Sequence, residues 1–245
     1  MSKVIWVTGA SSGIGSAFVA AVPPGSARVI GVSRRTRSGI ENLVADLSEP
    51  ASWDAVAASF REVMGDGTEY DDALLFHCAG TVAATGSMIA ADPVQYTRSV
   101  LLNSAAGQVL GRAFLVAAAA GSCRATLVMC SSPGASTALA GMSHYCGGKA
   151  ALEHWTRAVA QEFGDSPQAP RIFSVVPHAV DTAMVRDLAA GDRPDAPPIG
   201  AFFRSAIADS ATATPEQVAR EIWVTIERGV AQGAAVNVGA VHAST

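Results

Sequence analysis

Short apolar runs alternate with longer, alanine-rich stretches along the whole chain. The runs are apolar on both faces and bounded by Gly, Ser or Asp, which is typical of parallel strands covered by helices on both sides. They predict strands at 3–8, 28–33, 43–45, 73–78, 126–130, 172–176 and 234–238. The stretches between them predict helices at 13–22, 50–64, 94–120, 143–163 and 215–228. We therefore expect an α/β fold: a single doubly wound, Rossmann-type domain over residues 1–245, with a parallel sheet of about seven strands between two layers of helices.

One stretch, residues 183–213, does not fit this alternation. Its helix-breaking residues are Gly191, Pro194, Pro197, Pro198 and Gly200. Phe202 and Phe203 lie in the same stretch. A long insertion that combines breakers with aromatic residues is typical of a lid over a binding site, and a loosely packed excursion is the alternative.

Composition narrows the class of protein. Hydrophobic residues make up 49% of the chain and charged residues 16%, which argues against disorder and leaves apolar surface for a partner subunit. The net charge of −4 gives no basic footprint for nucleic acid. The longest apolar run, 113–120, is far shorter than the roughly 20 residues that cross a bilayer, and the N-terminus lacks a signal-peptide layout. We expect a cytoplasmic protein without nucleic-acid or membrane partners.

The cysteines and two of the histidines have structural interpretations. The cysteines are Cys78, Cys123, Cys130 and Cys146. They form no Cys-x-x-Cys pair, so we expect reduced thiols and no metal site. His144 and His154, both in the predicted helix 143–163, are expected at the surface or at a subunit interface.

A glycine-rich turn follows the first predicted strand and leads into a helix. Its sequence is Thr8-Gly9-Ala10-Ser11-Ser12-Gly13-Ile14-Gly15. Glycines permit a tight turn and a close backbone approach, and a helix N-terminus favours a pyrophosphate. The spacing is Gly-x-x-x-Gly-x-Gly rather than the usual Gly-x-Gly-x-x-Gly, so a plain turn is the alternative.

The second predicted strand ends in a basic turn. Its sequence is Ser33-Arg34-Arg35-Thr36-Arg37. In dinucleotide-binding domains an acidic residue here holds the ribose 2′-hydroxyl, whereas Arg accommodates a 2′-phosphate. Guanidinium groups suit a phosphate by charge and fork geometry. The pattern predicts NADP(H) rather than NAD(H), and a solvated basic turn is the alternative.

Tyr145 and Lys149 lie four residues apart in the predicted helix 143–163, and therefore on one face of it. A phenol ionises too weakly for acid–base work at neutral pH, and a nearby ammonium favours the phenolate. Lys149 is one of only two lysines in the chain. Ser131 or Ser132, at the end of the fifth predicted strand, stands where a hydroxyl could bind a carbonyl oxygen.

These residues, with others in the same order, resemble the short-chain dehydrogenase/reductases over roughly residues 3–240. The matching segments are Thr8-Gly9-x-x-x-Gly13-x-Gly15, Asp46-Leu47-Ser48, His77-Cys78-Ala79-Gly80, Asn103, Ser132 at 13 residues before Tyr145, and Pro177-His178-Ala179-Val180-Asp181-Thr182. His77 and Cys78 replace two asparagines of the family, and His178 replaces a glycine.

The resemblance implies a role for each catalytic residue. Tyr145 would be the general acid when a carbonyl is reduced, and Ser132 would hold the substrate oxygen. Lys149 would bind the nicotinamide ribose and make Tyr145 easier to ionise. Asn103 would hold a water that links Lys149 to solvent.

The resemblance also implies an NADP(H) site. Asp46 would meet the adenine, Arg34 the 2′-phosphate, and Val180 and Thr182 the nicotinamide carboxamide. The complete expected cofactor set is Gly9, Ser11, Ser12, Gly13, Ile14, Gly15, Ser33, Arg34, Arg35, Asp46, Leu47, Ala79, Gly80, Tyr145, Lys149, Pro177, Val180 and Thr182.

Within the family, the chain looks like the sepiapterin reductase and benzil reductase branch. Sepiapterin reductases carry a pterin-anchoring Asp where Asn237 stands here, so an apolar ketone or diketone is the better expectation. The expected substrate pocket is mostly apolar. It comprises Pro133, Leu139, Met142, His178, Met184, Phe202 and Phe203. His178 either fills space there or hydrogen-bonds to the substrate.

The expected activity is therefore that of an NADPH-dependent carbonyl reductase that acts on a small molecule. The resemblance implies a homodimer, with a tetramer as the alternative. Two other functions stay open. One is an NAD(P)-dependent alcohol or dihydrodiol dehydrogenase that works in the oxidative direction. The other is a non-catalytic NADP-binding regulator.

Overall fold

The computed structural model describes residues 2–65, 70–121, 123–191 and 198–240. In these ranges the strands are β1 (Lys3–Thr8), β2 (Arg28–Ser33), β3 (Glu41–Val44), β4 (Asp72–His77), β5 (Arg124–Cys130), β6 (Arg171–Pro177) and β7 (Ala235–Val238). All pair in parallel in the order β3-β2-β1-β4-β5-β6-β7, which confirms the predicted sheet. Strand β3 starts two residues earlier and ends one earlier than predicted. It is an edge strand with mostly exposed side chains, so pairing with β2 sets its limits and hydrophobicity does not.

The described helices are α1 (Gly13–Ala20), α2 (Trp53–Gly65), α3 (Pro93–Val100), α4 (Ala106–Ala120), α5 (Ser143–Phe163), α6 (Ala183–Ala190), α7 (Pro198–Ala208) and α8 (Pro215–Arg228). Polar caps set two of their starts. The Asp92 side chain accepts from Gln95 N at α3, and Thr214 and Gln217 form a reciprocal capping box at α8. A π-helical turn, Leu101–Ala105, separates α3 from α4, so the predicted helix 94–120 is not one regular element.

The segment 183–213 is more regular than its breaker residues predict. Helices α6 and α7 flank residues 192–197, which lie outside the described part of the chain and include Pro194 and Pro197. Gly191 ends α6, and Pro198 takes the first position of α7, where its missing N–H costs nothing. Arg204 Nη1 donates to Ala189 O at 2.8 Å and ties the two helices together. Gly191 and Pro198 therefore delimit the two helices, and Gly200 lies inside α7.

Two apolar clusters hold the layers together. On one face of the sheet, Trp6 meets Phe60 of α2 and Phe114 of α4 in edge-to-face contacts. On the other face, Phe18 of α1 stacks on Trp223 of α8 with centroids 4.6 Å apart. Full burial of each such side chain contributes about 1.5–3 kcal/mol.

Two features differ from the sequence-based expectations. In the described residues, Pro93–Ala120 is the one helical stretch long and apolar enough to cross a membrane. In its most apolar window 44% of the residues are buried, since α4 packs on the sheet as a core helix does. The expected surface position of His144 is wrong. Its residue is 2% exposed, and its ring packs against Tyr96 of α3, a contact that the pattern of α5 cannot show. His154 is exposed, as expected.

Candidate active site

A cavity of about 770 Å³ opens at the carboxyl ends of the strands. It begins at the glycine-rich turn after β1 and extends to α6 and α7. The strand order reverses between β1 and β4, because β2 and β3 lie on one side of β1 and β4 to β7 on the other. Ligands of doubly wound sheets bind at such a switch point.

The glycine-rich turn is built for close backbone approach. Gly9 has φ +70°, and a Cβ there would lie 3.1 Å from the Cα of Ala79. Gly13 has φ +53°, and a Cβ there would lie 3.4 Å from the Cγ2 of Thr182. A Cβ on Gly15 would lie 2.5 Å from Gly9 O. The turn therefore brings the start of α1 against β1, β4 and the end of β6.

The N-terminus of α1 faces the cavity without a side-chain cap. Ser12 occupies the N-cap position, and its hydroxyl makes no capping hydrogen bond. The first backbone N–H groups of a helix have no partner within the helix, and together with the helix dipole they attract an anion. Ser11, Ser12 and Gly13 line the cavity at this point. This cradle fits the pyrophosphate of a dinucleotide.

Arg34 and Arg35 lie at the rim of the cavity, just after β2, and both are exposed. Neither side chain has a hydrogen bond or an ion pair with any residue that the structure describes. Ser33 Oγ donates to Arg35 O at 2.6 Å and shapes the turn. Two guanidinium groups that make no hydrogen bond or ion pair with described residues are suited to bind a 2′-phosphate at this position.

Asp46 is held from two sides next to this basic turn. Its Oδ1 accepts from Ser48 N at 3.0 Å and Ser48 Oγ at 2.7 Å, and its Oδ2 accepts from Arg98 Nη2 at 2.9 Å. Burial opposes ionisation, but the hydrogen bonds from Ser48 and the charges of Arg34 and Arg98 outweigh it and lower the pKa of Asp46. An ionised carboxylate therefore stands in the cavity wall where the adenine is expected. Arg98 belongs to α3, 52 residues away in sequence, so no local pattern points to it.

Ser132 and Tyr145 face each other across Gly134. A Cβ on Gly134 would lie 3.5 Å from Ser132 Oγ and 3.4 Å from Tyr145 Cε1, and Ser132 Oγ accepts from Gly134 N at 3.1 Å. The other candidate, Ser131, is 3% exposed and donates to Glu153 Oε2 at 2.7 Å. Of the two serines, Ser132 therefore has the hydroxyl placed beside the tyrosine.

Lys149 lies behind Tyr145 on the same face of α5. It is 3% exposed, and its Nζ donates to Cys130 O at 2.7 Å. The same Nζ is 5.8 Å from the centroid of the Tyr145 ring. Both side chains line the wall of the same cavity.

Asn103 lies in the π-helical turn Leu101–Ala105, a local geometry that often occurs at functional sites. Its Oδ1 accepts from Thr81 N and its Nδ2 donates to Thr81 O, both at 2.9 Å. Gly80 separates Asn103 from Lys149, since a Cβ there would lie 3.2 Å from Asn103 Oδ1 and 3.6 Å from Lys149 Nζ. Asn103 therefore supports the site from behind, and both its amide oxygen and its amide nitrogen bond to the backbone of Thr81.

The outer part of the cavity is apolar and lies under α6 and α7. All the predicted pocket residues line it: Pro133, Leu139, Met142, His178, Met184, Phe202 and Phe203. The two ends of the segment above them are tied together. Val180 forms a parallel bridge with Ala213, and Asp181 N donates to Ala213 O at 2.9 Å. Backbone hydrogen bonds therefore join the two ends of the segment, and its helices α6 and α7 form the outer wall of the cavity.

The cavity brings together every predicted site residue except Gly15 and Asn103, which pack behind its wall. The cavity residues that sequence reasoning missed include Gln95, Arg98 and Ser99 of α3, Leu102 of the π-helical turn, and Ala183, Val185, Leu188, Pro198 and Ile199 of the covering helices. These residues carry no motif, and only the packing of α3, α6 and α7 brings them to the site. Within the described ranges, no three His, Cys, Asp or Glu side chains converge as a metal ion would require.

Thr8 braces the two positions that depart from the family pattern. Its Oγ1 accepts from Cys78 N and Ala79 N, each at 3.0 Å, and lies 3.1 Å from His77 Nδ1. Burial, with the charge of Lys149 added, lowers the pKa of His77 to about 3, so the ring is neutral. The hydroxyl of Thr8 thus takes over bracing of the end of β4.

Residues 3–193 match the family model described as short chain dehydrogenase. The chain belongs to this family. It is similar to the L-xylulose reductase of Bos taurus, with 31% identity over 191 residues, 73% of this chain and 72% of the relative. It is also similar to the benzil reductase ((S)-benzoin forming) of Bacillus cereus, with 24% identity over 204 residues, 78% of this chain and 82% of the relative. The solved aldohexose dehydrogenase of Thermoplasma acidophilum superposes with a TM-score of 0.78 at 22% identity, over 97% of this chain and 92% of that one.

These comparisons confirm the family resemblance and the benzil reductase relationship. The short-chain dehydrogenase/reductase chain described here is thus an oxidoreductase acting on CH–OH or C=O groups, of a family that binds a nicotinamide cofactor. The relationship to a sugar reductase was not foreseen from the motifs.

Proposed function

We propose that this short-chain dehydrogenase/reductase is an NADPH-dependent reductase of apolar ketones or diketones. The observation that carries the proposal is the arrangement around Gly134: Ser132 and Tyr145 meet at the cavity wall, with the Lys149 ammonium 5.8 Å from the phenol ring. The uncommitted Arg34 and Arg35 support NADPH as the cofactor. The apolar lining under α6 and α7 supports a ketone with apolar substituents over a ketose.

Each of these side chains has a separate role in the reaction. NADPH, when bound, supplies the hydride that reduces the carbonyl carbon. The Ser132 hydroxyl donates to the carbonyl oxygen and orients it, and the Tyr145 hydroxyl delivers a proton to that oxygen as negative charge develops. The Lys149 ammonium stabilises the phenolate that remains, because the two groups share one buried face of α5. Asn103 holds the backbone beside Lys149, through Thr81, where proton resupply is expected.

Oxidation of NADPH, followed by its absorbance with a panel of diketones, quinones, keto esters, pterins and a ketose, tests the proposal. We expect the highest kcat/KM with an aromatic diketone. A preference for the ketose, or for NADH over NADPH, would contradict the substrate or cofactor assignment. Oxidation of alcohols or dihydrodiols with NADP+ under the same conditions measures the opposite direction.

The Tyr145→Phe variant tests the catalytic assignment. It should lose at least about 100-fold in kcat, the scale of general acid catalysis, and keep its affinity for NADPH. Tyr70→Phe is the matched control, since its hydroxyl accepts from Arg28 Nη1 at the opposite edge of the sheet. An active Tyr145→Phe enzyme would rule out the phenol as the proton donor.

Three further parts of the proposal rest on separate observations. The chain is one domain, and helices α6 and α7 act as a lid over its cavity. The parallel bridge between Val180 and Ala213, which joins the two ends of this segment, supports the lid.

The chain forms a homodimer through α4, whose outer face carries Val109 and Val116, 43% and 54% exposed. Light scattering should give twice the chain mass for the wild type and a monomer for Val116→Asp; a monomeric wild type would contradict the dimer, and a tetramer would extend it. The four unpaired thiols fit a reducing, cytoplasmic location, which cell fractionation checks.

A further inference from the structure

Two cysteines lie side by side where β4 and β5 end. The strand register pairs His77 of β4 with Met129 of β5, so the next residues along each chain, Cys78 and Cys130, are neighbours. Adjacent strands are about 4.8 Å apart, within the Cα separation that a disulfide can span. Both side chains pack in the same apolar cluster, between the sheet and helices α1 and α8. They therefore project from the same face of the sheet.

The two thiols are chemically unequal. A hydrogen bond from the Cys78 thiol lowers the pKa of Cys130; desolvation opposes this shift, and the charge of Lys149 supports it. The same contact, with burial, raises the pKa of Cys78. The thiolate is the nucleophilic form of cysteine. Lys149 Nζ donates to Cys130 O at 2.7 Å, so a buried ammonium stands beside Cys130 and favours its thiolate. Cys130 is therefore assigned as the attacking sulfur, and Cys78 is placed to resolve the product.

Reagents can reach this pair from one side. Both Cys78 and Cys130 line the 770 Å³ cavity, between the glycine-rich turn and Lys149. On the side away from the cavity, both belong to the apolar cluster that also contains the fully buried Phe76 and Phe18. Cys123 and Cys146 do not line the cavity. Access to the pair thus runs through the cofactor cleft.

We propose that Cys78 and Cys130 are an oxidisable dithiol that closes to a reversible disulfide when a hydroperoxide enters the empty cofactor cleft. The Cys130 thiolate attacks the O–O bond of hydrogen peroxide and becomes a sulfenic acid, and one water leaves after protonation. The Cys78 sulfur then attacks the Cys130 sulfur, the S–S bond forms and a second water leaves. In sum, two thiols are oxidised by two electrons and one peroxide is reduced to two waters.

A disulfide between these two residues can be reduced again by thiol–disulfide exchange with a small thiol that enters the same cavity. A bound dinucleotide covers the route through the cleft and keeps the thiols reduced; this part rests on the proposed function.

Intact-mass spectrometry of the full chain tests the proposal directly. In a Cys123→Ser/Cys146→Ser background, only the proposed pair remains. Hydrogen peroxide should lower the mass by about 2 Da, the loss of two hydrogens, and dithiothreitol should restore it. With Cys78→Ala added, the protein should gain oxygen at Cys130 instead. A background protein that keeps both thiols, or that only gains oxygen, would show that the pair does not close. Circular dichroism confirms that each variant is folded.

Protection by NADP+ tests access separately. Binding of NADP+ is first measured by tryptophan fluorescence, independently of any oxidation. At saturating NADP+, formation of the disulfide should slow by at least about tenfold, following the fraction of empty protein. If NADP+ binds and the disulfide still forms at the same rate, access through the cleft is wrong. If NADP+ does not bind, the cofactor assignment fails, while the mass result still decides whether the dithiol exists.

Discussion

His77 couples the stability of the protein to pH in a way that one substitution isolates. Its side chain is 1% exposed, and burial, with the charge of Lys149, lowers the pKa of His77 from 6.5 to about 3. Between these values the unfolded chain binds a proton at His77 that the folded chain does not. The stability that depends on the neutral ring is therefore fully present above about pH 6.5 and is lost progressively as pH falls toward 3.

The size of the effect follows from the two pKa values of His77. Between these two pKa values, the unfolded chain holds one more proton than the folded chain. This difference changes the free energy of unfolding by about 1.4 kcal/mol per pH unit. Between pH 7.5 and pH 4.5 the loss from His77 reaches about 2.7 kcal/mol. His77→Asn removes this titrating group. The free energy of unfolding of the variant should therefore fall less steeply as the pH is lowered, by the contribution of one proton. Burial also lowers the pKa of His144, which contributes equally to both proteins.

Urea unfolding, followed by tryptophan fluorescence at half-unit pH steps, measures this slope. The difference in slope between wild type and His77→Asn is the readout, so a constant loss of stability in the variant does not affect it. His154→Asn, at an exposed position of α5, is the control for replacing a histidine by asparagine. Equal slopes for wild type and His77→Asn would refute the buried, neutral state of His77.

Three further experiments test the site and its supporting helix. Arg34→Ala should weaken NADPH binding by about tenfold or more, as loss of a charge-assisted hydrogen bond implies, and leave NADH binding unchanged in titrations; equal losses would show that Arg34 does not contact the 2′-phosphate. Lys149→Arg should lower kcat by at least about 100-fold, because a guanidinium does not fit the buried ammonium position; wild-type turnover would contradict this. In α5, Gly148→Ala should lower the melting temperature, since its Cβ would lie 2.8 Å from Asn103 Cβ, whereas Gly147→Ala meets open space and should stabilise the helix by up to about 1 kcal/mol; the reverse order would refute the packing.

The fold and the local motifs could be predicted because each depends on short-range patterns. Apolar runs marked β1, β2, β4, β5 and β6 closely, since central parallel strands are buried on both faces. The edge strand β3 lacks such a run and was misplaced by one or two residues. Spacing alone put Tyr145 and Lys149 on one helical face, and the structure has them there.

Long-range contacts account for what the pattern missed. Asn103 sits in a π-helical turn that no periodicity indicated, and Arg98 reaches Asp46 from a different layer. His144 looked like a surface residue until α3 covered it. Asn103 is held by Thr81, 22 residues away, and the partners of Arg98 and His144 are more than 40 residues away, so local propensity carries no information about these contacts.

The sequence by itself determined the parallel α/β architecture and the order of the cofactor and catalytic segments. Period and spacing are local properties of a chain, and helices and strands convert them directly into faces and edges. Only the tertiary structure decided how the ends of β1, β2, β4, β5 and β6 meet in one cavity, that Ser132 rather than Ser131 faces Tyr145, and that Cys78 adjoins Cys130. These arrangements depend on strand order and register, which arise when the whole apolar surface is buried at once.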